Sequence, residues 1–125
     1  MIGKFGMAAM FVLATAAPAL AAECNQPIAP AITVVGSTAT LQQMNDAIKD
    51  FKTFQSASDD YQACLVADLN RQKQEAAKAK DPKPLDPSIE AGMNAKMAAN
   101  QADKEKVGGE LNAQIMAYKQ AHPSK

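Results

Sequence analysis

The stretch Asp81-Pro82-Lys83-Pro84-Leu85-Asp86-Pro87 constrains the fold of this chain more than any other. A proline lacks the backbone N–H and its ring crowds the carbonyl four residues earlier, so three prolines within six residues cannot sit inside a helix. On either side the composition reverses. Thr40 to Lys80 contains neither proline nor glycine, and no proline follows Pro87 until Pro123. This spacing predicts helix 1 over 40–81, a proline-rich turn over 82–86, helix 2 over 87–122 and a tail over 123–125. The helix ends carry their own signals. Thr40-Leu41-Gln42-Gln43 matches a capping box, Asp86-Pro87 places a capping carboxylate before a proline at the first helical position, and Lys78 and Lys80 suit the negative end of helix 1.

Apolar residues recur at steps of three and four. In helix 1 the series is Leu41, Met44, Ile48, Phe51, Phe54, Ser58, Tyr61, Leu65, Leu69. In helix 2 it is Ile89, Met93, Met97, Asn100, Lys104, Val107, Leu111, Ile115, Tyr118. Each is one stripe on a helix. Folding at the prolines sets the stripes antiparallel, in coiled-coil fashion, with Leu69 opposite Ile89, Leu65 opposite Met93, Tyr61 opposite Met97, Phe51 opposite Val107, Ile48 opposite Leu111 and Leu41 opposite Tyr118. Both stripes are interrupted by a polar residue, and the same register brings the interruptions, Ser58 and Asn100, face to face. A matched polar layer is the arrangement that avoids an unpartnered buried group, and it would define the register. Lys104 falls opposite Phe54, its stem over the ring and its head reaching toward Asp50. Gly108 and Gly109 fall beside Phe51, either making room for the ring or merely tolerated.

Residues 1–21 have the form of a secretory signal: Lys4, an apolar run from about Phe5 to Ala17, Pro18, and Ala19-Leu20-Ala21 as a cleavage pattern before Ala22. An uncleaved anchor is the alternative, since the run is almost long enough to span a bilayer. Glu23 directly before Cys24 argues against a lipid-anchored cysteine. Cleavage leaves about 104 residues, one small domain. Acidic and basic residues balance at thirteen each in the full chain, and only Lys4 leaves with the signal, which gives no reason to expect nucleic acid or an anionic membrane as partner. The membrane is met only through the signal. The aromatics that remain are Phe51, Phe54, Tyr61 and Tyr118, and the chain has no tryptophan, so the core is thin.

An export signal, a thin core and two cysteines together predict a Cys24–Cys64 disulfide. Residues 22–39, with Pro27, Pro30, Gly36 and Ala31-Ile32-Thr33-Val34-Val35, read as an extended strap. From Thr40 to Cys64 is roughly 36 Å of helix, and the strap can reach roughly 50 Å, long enough to turn near Gly36 and return along the helix. Pairing between two chains stays open as an alternative. A redox thiol does not fit, because neither cysteine belongs to a Cys-x-x-Cys pair or starts a helix. The fold expected is all-α: an antiparallel two-helix hairpin with an extended strap disulfide-bonded to its first helix.

Nothing in the chain has the pattern of catalytic chemistry. His122, next to Pro123 near the end, reads as a solvated tail residue. Asp59 and Asp60 are adjacent on a helix and do not face each other. No metal-ligand spacing, phosphate loop or nucleophile elbow occurs. Met93 and Met97, with Met116 further along, raise copper(I) binding by soft thioethers, against the plainer role of core filler.

Three short motifs resemble a family of small exported proteins of Gram-negative bacteria: Cys-x-x-Pro-x-x-Pro at Cys24, Pro27 and Pro30, Tyr-x-x-Cys-Leu at Tyr61, Cys64 and Leu65, and Asn112, Gln114, Ile115, Tyr118 and Lys119 near the end. Ala31 to Thr40 is more apolar than the acidic or glycine-rich turn of that pattern. The resemblance implies a disulfide-strapped periplasmic hairpin with no established activity. The expected function is therefore that of a non-enzymatic periplasmic or secreted protein without a cofactor, acting through contacts with an unknown protein partner or a second copy. A chaperone-like or envelope-stress binder and a methionine-based copper(I) binder are the alternatives.

Overall fold

The computed structural model describes residues 23–124, so the expected signal segment 1–21 and its cleavage site lie outside the described residues. Two helices account for most of it: α1, Leu41–Lys78, and α2, Pro87–Ala121. At 1.5 Å per residue they run about 57 Å and about 52 Å. They pack antiparallel on each other, no strand occurs among the described residues, and an extended strap precedes α1.

The ends follow from side-chain chemistry. Thr40 Oγ1 accepts from the Gln43 N–H (3.2 Å) while Gln43 Oε1 accepts from the Thr40 N–H (2.9 Å), a complete capping box. Asp86 Oδ1 accepts from the Ser88 N–H at 2.9 Å, with Pro87 at the first helical position. Helix α1 stops at Lys78 rather than at residue 81. Pro82 can offer no N–H to the Lys78 carbonyl and disfavours helical geometry at Asp81. The chain turns extended already at Ala79, with φ -61° and ψ 152°. Helix α2 ends at Ala121, one residue short of 122.

The core is one stripe thick. On α1 the buried residues are Met44, Phe54, Ser58, Tyr61, Leu65 and Leu69, and on α2 they are Asn100, Val107 and Leu111. Phe51, Ile48, Ile89, Met93, Met97, Ile115 and Tyr118 are half-buried along the same line. Leu41 departs from expectation: it is 61% exposed. Its place against the end of α2 is taken by the strap, whose Gly36 and Ala39 are buried. Leu41 and Ile48 fall seven residues apart on one flank of α1. The strap lies along the opposite flank, which carries Gln43, Asp50 and Cys64 at multiples of the same seven-residue spacing.

The strap is held at two places. Cys24 and Cys64 form a disulfide with Cα atoms 5.7 Å apart. Farther along, a turn forms in which the Thr38 and Ala39 N–H groups donate to the Val35 carbonyl (3.1 and 2.8 Å). At its apex the Gly36 N–H donates to Gln114 Oε1 of α2 at 2.9 Å. The backbone comes so close there that a Cβ on Gly36 would lie 1.9 Å from the Gln114 carbonyl oxygen. Gly108 makes room for a ring, since a Cβ there would meet Phe51 Cζ at 3.2 Å, whereas Gly109 faces open space.

Candidate functional site

The centre of the hairpin is a polar layer. Asn100 and Ser58 are both 0% exposed. Asn100 Nδ2 donates to Ser58 Oγ at 3.2 Å, and Asn100 Oδ1 accepts from Gln62 Nε2 at 2.9 Å. Among the described residues no buried side-chain nitrogen or oxygen lacks a hydrogen bond. The layer is therefore closed on itself and presents no free group to a ligand. Its job is registration: sliding either helix by one turn would bury these groups against hydrocarbon, at a cost of several kcal/mol.

Charged side chains likewise serve the scaffold. Lys104 does reach out from the core stripe, its side chain only 15% exposed, but its Nζ pairs with Asp59 and not with Asp50. Asp59 lies on the flank of α1 away from the strap, so the stem leans that way. Lys73 Nζ meets Glu90 Oε1 at 2.9 Å, two heptads along on the same flank. Polar bridges between the helices thus line one flank and the strap lines the other. Arg71 joins Asp68 and Glu75 on α1. Hydrogen bonds from Arg71, and then from Gln72, hold the Asp68 carboxyl below the usual carboxylate range. The Asp86 carboxyl is lowered by the Ser88 N–H that it caps.

The residues considered for chemistry sit apart. Both cysteines are in the disulfide. Met93 borders the space around Cys24, Tyr61 and Leu65, and Met97 follows it on the inward stripe. Met116 is 54% exposed. It stands nineteen helical positions beyond Met97, a rise of about 28 Å. These three thioethers do not converge on one ion. His122 is exposed but not idle: its ring stacks on Tyr118 with centroids 4.3 Å apart, and its backbone N–H caps the Tyr118 carbonyl at 3.0 Å. Among the described residues no group of three or more histidine, cysteine, aspartate or glutamate side chains could hold a metal ion, and no helix is long and apolar enough to cross a membrane.

One feature with room for a second molecule is the groove between strap and α1. Its volume is about 480 Å³, with Pro30 to Val35 as one wall and Gln43, Asp46, Ala47 and Asp50 as the other. The motif residues converge on the strap that forms it: Cys24 reaches Cys64 at one end and Gln114 holds Gly36 at the other. Gln62 and Gln114, two bridging amides that periodicity passed over, sit one turn from Ser58 and from Tyr118. A polar residue one turn from an expected core position was the signal that could have found them.

Comparison with protein families, with curated proteins and with solved structures finds no match.

Proposed function

We propose that this chain is an exported, non-enzymatic contact protein, a disulfide-strapped helical hairpin that works by presenting long helical faces and an extended strap to another protein. We further propose that residues 1–21 are its cleaved signal and that it acts in the periplasm or outside the cell, in the manner of the small exported hairpins its motifs resemble. The observation that carries this reading is the fate of the polar groups. Those that converge, Ser58, Gln62 and Asn100 in the core and Lys104 with Asp59 beside it, are consumed in mutual bonds that hold the scaffold. What stays open to solvent is surface for contact. The disulfide supports the compartment, because such bonds persist where the surroundings are oxidising.

The test is site-specific photo-cross-linking in intact cells from exposed positions on each element: Thr33 on the strap, Ala67 on α1 and Ala98 on α2. Discrete adducts with another polypeptide are expected from at least one position. Absence of any adduct from all three, with the protein present at normal level, overturns the contact reading. Mass spectrometry of the mature protein without reductant checks the cleavage before Ala22 and the disulfide together.

A further inference from the structure

We propose that the strap is a strand-addition site: the groove between Pro30–Val35 and α1 takes an extended segment of another polypeptide in which apolar residues alternate with lysine or arginine. The inference deepens the contact reading and rests on it, and it can fail separately. Four observations carry it.

The strap already has the alternation that a strand requires. Residues 30–35 are extended, and burial alternates along them, with Pro30, Ile32 and Val34 half-buried and Ala31, Thr33 and Val35 exposed. Ile32, Thr33, Val34 and Val35 are β-branched, the residues that suit a pleated, half-buried surface. Second, this strand is unpaired. Among the described residues, the backbone of residues 25–34 makes no hydrogen bond. A row of extended N–H and C=O groups without partners is a template for another chain. Third, the strand is held in place. The Cys24–Cys64 bond and the Gly36–Gln114 contact define both ends, so the ordering entropy that weakens the capture of flexible segments has been met in folding.

The fourth observation selects the occupant. Asp46 and Asp50 stand one turn apart along the groove, and no lysine or arginine lines it. Asp46 accepts from Gln42 at 2.8 Å, and Asp50 makes no ion pair among the described residues. Lys49 faces another side of the helix. A cationic side chain on the incoming strand would complement this pair. A second copy of the chain fits less well: antiparallel pairing of two straps about a two-fold axis brings the acidic pair of each copy toward its own equivalent, and like charges so placed repel.

The probe is a short synthetic peptide alternating valine and lysine, titrated into the oxidised full-length mature protein and followed by amide NMR with hydrogen exchange. Saturable binding is expected, with protection that alternates along residues 31–35, because successive N–H groups of a strand point to opposite edges. Methylating alternate amide nitrogens of the peptide should weaken binding about tenfold, which is about 1.4 kcal/mol. Replacing the peptide's lysines by glutamate, or Asp46→Asn with Asp50→Asn in the protein, should weaken it several-fold. Thr33→Pro, which deletes a strand N–H at an exposed position, should do the same while the far-UV dichroism stays that of the parent. The inference is overturned if the parent does not bind, if the methylated or the glutamate peptide binds as well as the first, or if protection at 31–35 rises with protein concentration alone, the mark of strap-to-strap pairing. In the cell, adducts from Ala67 or Ala98 with none from Thr33 would remove the groove inference and leave the contact reading standing.

Discussion

Gly36→Ala is the most informative single change, and its size can be worked from the geometry. The added Cβ would sit 1.9 Å from the Gln114 carbonyl oxygen, 2.8 Å from its carbonyl carbon and 2.9 Å from the Tyr118 nitrogen. All three are backbone atoms of a helix interior and cannot swing aside as a side chain can. Carbon needs about 3.5 Å from such atoms, so the turn must retreat by about 1.5 Å. That stretches the 2.9 Å bond from the Gly36 N–H to Gln114 Oε1 beyond any hydrogen-bonding distance. The lost bond is worth about 1 kcal/mol. Overpacking of this kind adds about 1–3 kcal/mol. The unfolded chain loses freedom when glycine becomes alanine, which offsets about 0.4–1 kcal/mol. The net expectation is destabilisation by about 1–3.5 kcal/mol. No residue among those described has positive φ, so the cost comes from close approach and not from backbone strain. The control is Gly109→Ala, the same chemical change at a helix position with nothing within 4 Å. That variant should be more stable than the parent by up to about 1 kcal/mol. Urea titrations of both variants and the parent, followed by far-UV dichroism without reductant, give the comparison. If Gly36→Ala proves as stable as the parent within about 0.5 kcal/mol, the strap turn is not seated on α2 and the reasoning fails.

Cys64→Ser opens a loop with a sequence separation of 40. It should lower stability by about 3–4 kcal/mol in the chain-entropy account, with the parent in strong reductant matching the variant in the same titration. Asn100→Ala leaves Ser58 and Gln62 without their buried partner and should cost about 2–3 kcal/mol, whereas Asn100→Leu combined with Ser58→Ala should recover stability yet show mixed association states by sedimentation, because the layer that sets register is gone. The Asp68 carboxyl has a folded pKa below its ordinary 3.8, so its contribution is full above that value and vanishes as the pH falls through the lower folded value. Stability measured from pH 6 down to about pH 2 should therefore show an acid limb that Asp68→Asn makes shallower, and an unchanged limb would count against the Arg71 and Gln72 bonds.

The hairpin, its antiparallel register and the Ser58–Asn100 contact were legible because each is written as a period. Polar interruptions stand out only against a repeating apolar background, and two that coincide under one register leave little choice. Leu41 was misread for the same reason. Periodicity extends a stripe to the helix end without knowing what else competes for that surface, and there Gly36 and Ala39 of the strap cover the end of α2 instead. Lys104 illustrates a second limit. That its stem would lie inward was plain from its stripe position, but whether a long flexible cation turns to Asp50 or Asp59 depends on which flank is free, and the strap occupies the Asp50 side. The groove itself had no sequence signal beyond β-branched residues beside two prolines. It exists because the disulfide and the Gly36–Gln114 contact together bring that segment against a face of α1 carrying Asp46 and Asp50.

The placement of that disulfide also decides how the molecule bears load. A pull between the two ends of the described chain enters at Cys24, crosses the sulfurs, and joins α1 at Cys64, deep in the helix. Everything between, including the strap, the capping box at Thr40 and the part of α1 that precedes Cys64, lies in a covalent side loop and meets the pull only through its packing on α2. Gripped at its C-terminal end, α2 would first peel from α1 and from the Gly36 turn that rests on Gln114, while the covalent loop between Cys24 and Cys64 could not be drawn out.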